Sequence, residues 1–254
     1  MGMTVSAICI TPVRCFALQH PAEVYLGQNG VVANRRFFLT SPDGERLRSS
    51  RTSWPAVIAA HYDAGAELLS LRFPDGSEQT GSALGGSVRR VSNIAMGLDV
   101  EVSLVDGPWN EPLSDMAGRP VRIARPDLPG RSFRHPVSMM SDRSVGRLSE
   151  AVGEAVDPRR FRMLSVAGCS RPHEEDEWQG RRLRVGRAIV RPGGPIPRCA
   201  VTTRDPDTGR KDLDTLRHIH SYRGRGNSGS IDFGVYGEVE EPGTVRVGDV
   251  VELL

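Results

Sequence analysis

The sequence predicts a mainly β (α+β) protein, two β-barrel-like halves carrying a few short helices. Three observations predict it. Aromatics make up only 6% of the 254 residues while Gly (28) and Pro (18) are frequent, which favours short elements joined by turns over long helices. Strand-like segments run into Ser41-Pro42-Asp43-Gly44 and Pro74-Asp75-Gly76, the turn chemistry of antiparallel hairpins. Apolar residues recur at helical spacing in a few short stretches alone.

Taken in order, Thr4–Ile10 and Gly30–Thr40 read as strands, and Glu67–Phe73 alternates as a third. Ser77–Gly97, rich in Gly and Ser, reads as a mobile excursion. Asp99–Val105 and Arg119–Ala124 return to strand character, with a short helix between them from about Asn110 to Met116. Arg125–Pro136, rich in proline and arginine, reads as a linker, dividing the chain into residues 1–124 and 125–254. Ser141 then stands as the N-cap of a helix whose apolar face is Val145, Leu148 and Val152, ending near Asp157-Pro158. Strands are expected at Phe161–Val166, Arg182–Val190 and Cys199–Thr203, and Asp212 is placed to cap a helix carrying Leu213, Leu216 and two histidines. The remainder reads as strands broken at Gly237 and at Glu241-Pro242-Gly243.

Composition excludes several classes. No basic run is interleaved with aromatics, which argues against nucleic acid, and no apolar run approaches the roughly 20 residues of a membrane span. The start lacks a basic-then-apolar secretory pattern, so a cytoplasmic setting with cysteines as thiols is expected. Cys9, Cys15, Cys169 and Cys199 form no Cys-x-x-Cys pair, so neither a zinc site nor an iron–sulfur cluster is indicated. The net charge is +2, and Lys211 is the one lysine. Arginine provides the bidentate fork suited to phosphate and carboxylate.

The stretch from Pro197 to Gly209 carries the most chemical information. Cys199 follows Arg198 and precedes a polar rim of Thr202, Thr203 and Asp205. A thiolate needs nearby positive charge at neutral pH, and the thiolate is the species that attacks substrates or binds metals. Cys9 and Cys169 read as structural. His218 and His220 lie two positions apart on the expected helix and cannot share a face; His218 is the candidate proton donor beside Asp205.

Several segments together resemble the MOSC-domain family, with the β-barrel that precedes this domain in the amidoxime-reducing components and their bacterial relatives. They are Pro12-Val13-Arg14-Cys15; Asn34-Arg35-Arg36-Phe37-Phe38; Phe161-Arg162, Gly168, Glu175-Asp176 and Trp178; Arg198 to Gly209; Leu213 to Leu216; and Pro242 to Asp249. The resemblance implies a MOSC fold in the C-terminal half and a molybdenum-pterin cofactor with Cys199 as metal ligand. It further implies that Arg14, Arg35 and Arg162 face the cofactor's phosphate and pterin. Ser141, Thr202 and Thr203 would offer hydrogen bonds, with Arg198 and Cys15 alongside. Two departures from the family pattern are Arg14 in place of lysine and Cys15 in place of serine. The implied activity is a two-electron removal of oxygen from N-hydroxylated or N-oxygenated small molecules. Because the chain's cysteines cannot ligate a cluster, electrons would come from a separate ferredoxin- or cytochrome-type protein. Two other readings keep the same residues: a metal-free thiolate or persulfide sulfur-transfer or biosynthetic enzyme using Cys199, and a non-catalytic module that binds the cofactor.

Overall fold

The computed structural model describes residues 2–45, 47, 52–93, 98–127 and 135–254. The elements run β1 (Met3–Ile8), β2 (Glu23–Leu26), β3 (Phe38–Thr40), β4 (Ala59–Asp63), β5 (Leu68–Arg72), β6 (Glu78–Ser82), β7 (Val88–Asn93), β8 (Leu98–Val105), α1 (Asn110–Ala117) and β9 (Arg122–Pro126). They continue with β10 (Val137–Ser141), α2 (Asp142–Val152), β11 (Ser165–Gly168), β12 (Leu183–Val185), β13 (Ala188–Pro197), α3 (Thr215–Arg223), β14 (Asp232–Glu241), β15 (Gly243–Arg246) and β16 (Val250–Leu253). The protein is mainly β, as its turn-rich composition predicts.

Seven strands close a barrel in the order β1-β11-β10-β14-β13-β12-β16, with β16 returning to β1. All of its pairs are antiparallel except β10 with β11. Parallel neighbours need a crossover, and α2 supplies it. Val5, Ile8, Met139, Leu183, Val235 and Val251 fill the interior. β1 therefore enters the C-terminal barrel although it lies at the start of the chain, and β2 pairs antiparallel with β15. The rest of the N-terminal half forms a four-stranded sheet, β3-β9-β8-β7, and a three-stranded sheet, β4-β5-β6. A second core of Phe37, Leu69, Leu71, Trp109 and Ile123 lies beneath them.

The expected α1 and β8 and the start of α2 fall close to where the spacing put them, and the Ser141 hydroxyl accepts from Arg143 N at 3.0 Å as an N-cap should; α2 ends at Val152, short of the expected Asp157-Pro158, because Gly153 turns into left-handed backbone (φ 90°) as its C-cap. Other expectations are corrected. Of Gly30–Thr40 the last three residues alone form a strand; the stretch before β3 is loop held by hydrogen bonds to the Thr11–Arg14 segment. The expected strand from Phe161 begins instead as a 3-10 turn, Pro158–Phe161, with β11 starting at Ser165. Asp214 caps α3, and Asp212 does not. Gly237 lies inside β14 rather than breaking it.

Most of the Ser77–Gly97 excursion is strand, β6 and β7; residues 94–97 lie outside the described residues. Gly81 and Gly85 allow close packing: a Cβ on Gly85 would sit 2.0 Å from the Ser103 Cβ on β8, and one on Gly81 2.9 Å from the Pro108 Cδ. The expected linker contributes its first two residues to β9, and residues 128–134 lie outside the described residues.

Candidate functional site

The segment after β13 is not the strand that its β-branched residues suggest. Ala200–Thr203 is a 3-10 turn with Cys199 at its N-cap. Thr203 Oγ1 donates to Ala200 O at 2.7 Å and Thr202 Oγ1 to Cys199 O at 3.1 Å, so the two hydroxyls satisfy the carbonyls of a tight turn and outcompete an extended ladder. Thr202 Oγ1 also meets Thr215 Oγ1 at 2.7 Å, tying the turn to the start of α3. Both threonines are buried and brace the turn that presents Cys199. Cys199 itself is a free, exposed thiol.

Arg198 is fixed where β13 meets β14: its backbone N–H donates to Ile231 O at 2.8 Å. Its Nη2 donates to Phe161 O at 2.6 Å, and its guanidinium lies 5.1 Å above the Phe161 ring, which stacks in turn on Phe233 at 4.3 Å. Burial lowers the Arg198 pKa to about 10; the neighbouring Cys199 opposes the shift and Arg35 adds to it.

Two more guanidinium groups converge on this corner. Arg35 Nη2 donates to Arg162 O, and Arg162 Nη2 donates to Phe16 O at 2.5 Å. Burial pulls Arg35 down to about 10, with Arg162 repelling it and the Cys15 and Cys9 thiols opposing. Arg162 is lowered for the same leading reason, burial, and is countered by the same two thiols. Among the described residues, no ion pair involves Arg35, Arg162 or Arg198. Mutually repelling cations held on carbonyl oxygens alone carry a desolvation cost of several kcal/mol per ion unless an anion joins them.

The backbone is strained at the same place. Among the described residues, three of the five non-glycine residues with left-handed φ are Cys15 (76°), Arg35 (53°) and Arg162 (52°). Such conformations cost about 1–3 kcal/mol each and cluster where a side chain must be aimed. The segment carrying Arg14 and Cys15 is held against the one carrying Arg35: Arg14 N donates to Phe37 O at 2.8 Å, Phe37 N to Pro12 O at 3.0 Å, and the buried Asn34 Oδ1 accepts from Thr11 N at 3.2 Å.

A solvent-open cleft of about 400 Å³ runs from this corner, lined by Cys15, Arg162, Arg160, Val201, Arg204 and Gly209 among others. A second cleft, which Arg14 lines, shares Cys15, Thr52 and Pro55 with it. Gly209 closes the far wall: it has φ +67°, and a Cβ there would sit 2.1 Å from Ser53 O, so no other residue fits.

Sequence reasoning missed what anchors that wall. Arg159 grips Asp207 through two 2.7 Å bonds, and Arg160 grips Asp212 at 2.7 and 2.6 Å. The adjacent Arg159-Arg160 pair and the acids of the 205–212 loop were a charge match in plain view, unread because no short spacing joins them. Asp205, expected beside Cys199, turns its carboxylate to its own loop, accepting from Asp207 N, Thr208 N and Thr208 Oγ1 at 3.1, 2.7 and 2.8 Å; those hydrogen bonds hold its pKa low. His218 Nδ1 lies 3.1 Å from Ala151 O, linking α3 to the end of α2, and does not line the cleft. Ser141 is buried as the α2 cap. Cys9 and Cys169 are buried, and burial pushes their thiols up to about 11 and about 12. Trp178 is fully buried, Asp176 pairs with Arg223 at 2.8 Å, and Glu175 accepts from Ser144 Oγ at 2.8 Å.

Residues 114–252, which hold Cys199, Arg198 and Arg162, match the MOSC domain. The chain belongs to the MOSC-domain family. This MOSC protein is also 37% identical over 141 residues to mitochondrial amidoxime reducing component 2 of Macaca fascicularis, covering 51% of this chain and 38% of that protein. It is 34% identical over 151 residues to mitochondrial amidoxime-reducing component 1 of Homo sapiens, covering 54% of this chain and 43% of that one. The match thus spans less than half the length of these curated relatives. Among solved structures, the YUAD protein from Bacillus subtilis aligns with a TM-score of 0.46 at 12% identity, covering 100% of this chain and 96% of that one.

Proposed function

We propose that this MOSC protein is a molybdenum-cofactor oxidoreductase that reduces N-hydroxylated or N-oxygenated small molecules. The observation that carries the proposal is the exposed Cys199 thiol next to Arg198, which together with nearby Arg35 and Arg162 has no carboxylate partner among the described residues. The residues fit the cofactor on chemical grounds. Thiolate is a soft ligand suited to a high-valent metal of this kind, and planar guanidinium groups suit phosphate and the polar edge of a pterin. The Nε of Arg198 is buried with no acceptor among the described residues, which an added anionic group would supply. When bound, the cofactor supplies two-electron chemistry that accepts one oxygen atom.

The chain's own residues would do the rest. Cys199 would hold the metal as thiolate, with Arg198, steadied on Phe161, next to it. Arg35 and Arg162 would neutralise the phosphate, with Arg14 at the adjoining cleft. The Thr202–Thr215 contact would keep the cysteine's turn from yielding. The relatives named amidoxime reducing components support the substrate class. Electrons would come from a separate carrier protein of ferredoxin or cytochrome type.

The test is metal and pterin analysis of chain purified from molybdenum-replete cells, for wild type and Cys199→Ser. Near-stoichiometric molybdenum and pterin in wild type, with molybdenum lost in the variant, is the expected result. Wild-type chain that carries neither group counts against the proposal.

A further inference from the structure

Cys199 opens a single excursion of the chain. It leaves β13 at Arg198 and rejoins the barrel at Ile231, whose carbonyl accepts from Arg198 N at 2.8 Å. The excursion holds the 3-10 turn, the 205–212 loop and α3, and it is fastened to itself. Asp212 N donates to Thr203 O at 3.2 Å, and Thr202 Oγ1 meets Thr215 Oγ1 at 2.7 Å. A macromolecule that settles on its outer side is therefore brought to the rim where the Cys199 thiol is exposed.

The charge on that side is unbalanced. The excursion carries four aspartates, and each already has work within the fold. Asp205 accepts from its own loop, Asp207 and Asp212 are clamped by Arg159 and Arg160, and Asp214 caps α3 by accepting from Arg217 N at 3.3 Å. Arg210, Lys211, Arg217 and Arg225 are exposed, and among the described residues no ion pair involves any of them. The barrel surface is different: Arg182 lies against Glu240 and Glu241, Arg184 against Glu252, and Arg246 against Glu23. Unmatched cations gathered at one rim steer an oppositely charged partner to it.

We propose that the outer side of this excursion is the docking surface for a small electron-carrier protein with an acidic face. That the partner carries electrons rests on the reductase reading above; that its face is acidic rests on the charge alone. Redox encounters are small and weak, so a few complementary charges orient them without a large apolar patch. Arg210, Lys211 and Arg217 meet the carrier's carboxylates at the start of α3, and Arg225 meets them past its end.

The probe is a plant-type ferredoxin, an acidic protein, titrated into the full chain at low salt and followed by calorimetry. Wild type binds it, and raising the salt to about 0.5 M weakens the affinity about tenfold. Lys211→Glu combined with Arg217→Glu weakens binding at low salt by about tenfold or more. Arg119→Glu combined with Arg181→Glu makes the same change in net charge at two exposed arginines outside the excursion, and leaves the affinity within about twofold. Single Lys211→Gln and Arg217→Gln, each weakening binding about threefold, serve should the charge-reversed pair fold poorly. No binding by wild type, equal loss in the two pairs, or tighter binding to basic cytochrome c, duplex DNA or phosphatidylglycerol vesicles overturns the proposal. The titration is repeated on metal-free chain. Discrimination between the two pairs there upholds the surface even where the molybdenum analysis fails, and molybdenum-loaded chain without that discrimination sinks the surface alone.

Discussion

Two sets of arginines meet at this cleft and are used in opposite ways. Arg159 and Arg160 are each clamped bidentately to an aspartate of the 205–212 loop. Arg35, Arg162 and Arg198 donate to main-chain carbonyls and have no carboxylate among the described residues. The first set spends its charge on holding a wall in place. The second keeps its charge for something that arrives. Composition cannot tell these uses apart, because the residue type is identical; the difference lies in which acceptors the fold puts within reach.

The largest effect that sharpens this contrast falls on the wall. Arg160→Met orphans Asp212 and removes two short charged hydrogen bonds, so denaturant unfolding should show a loss of about 2 kcal/mol. Gly209→Ala forces a side chain against Ser53 O in left-handed backbone, and about 1–3 kcal/mol is the expected loss in the same experiment. Arg162→Met, by contrast, gives up one carbonyl contact and relieves an uncompensated cation, so its stability should stay within about 1 kcal/mol of wild type. A large destabilisation there would erase the distinction between the two sets.

A smaller effect concerns pH. His173 sits between the Tyr222 and Phe233 rings with both ring nitrogens buried and without a hydrogen-bond partner among the described residues, and burial lowers its pKa from 6.5 to about 4. The unfolded chain takes up this proton below pH 6.5 while the folded one resists until about 4. The contribution is therefore present at neutral pH and is lost as pH falls through that window. His173→Gln should flatten the loss of denaturation midpoint between those limits relative to wild type. An unchanged slope would show that the ring is protonated in the fold.

How much of this was legible in the sequence depends on whether the cause was local. The Ser141 cap, the apolar face of α2 and the Pro-Asp-Gly turn after β5 were readable because neighbours decide them. The turn at Ala200–Thr203 was misread because threonine favours strands in general, whereas here its hydroxyls bond back three residues. Gly81 and Gly85 suggested mobility because the residues they pack against, Trp109 and Ser103, are distant in sequence. At the site, Cys199 stood out from its polar neighbours. The convergence of Arg35, Arg162 and Arg198 is a product of three separate segments folding against one rim, which the family resemblance indicated in part and periodicity could not. Asp205 was a natural guess for a polar partner of Cys199, but an aspartate two residues before another turn residue caps its own loop first.

The most direct test of the contrast is titration of the full chain with inorganic pyrophosphate, followed by calorimetry and thermal unfolding at low salt. Wild type and Arg159→Met should bind, gaining about 2.7 kcal/mol of stability at a hundredfold excess over Kd, while Arg162→Met and Arg35→Met should not. Binding that survives in Arg162→Met, or that disappears in Arg159→Met alone, would contradict the assignment of the unpaired arginines as the anion-holding set.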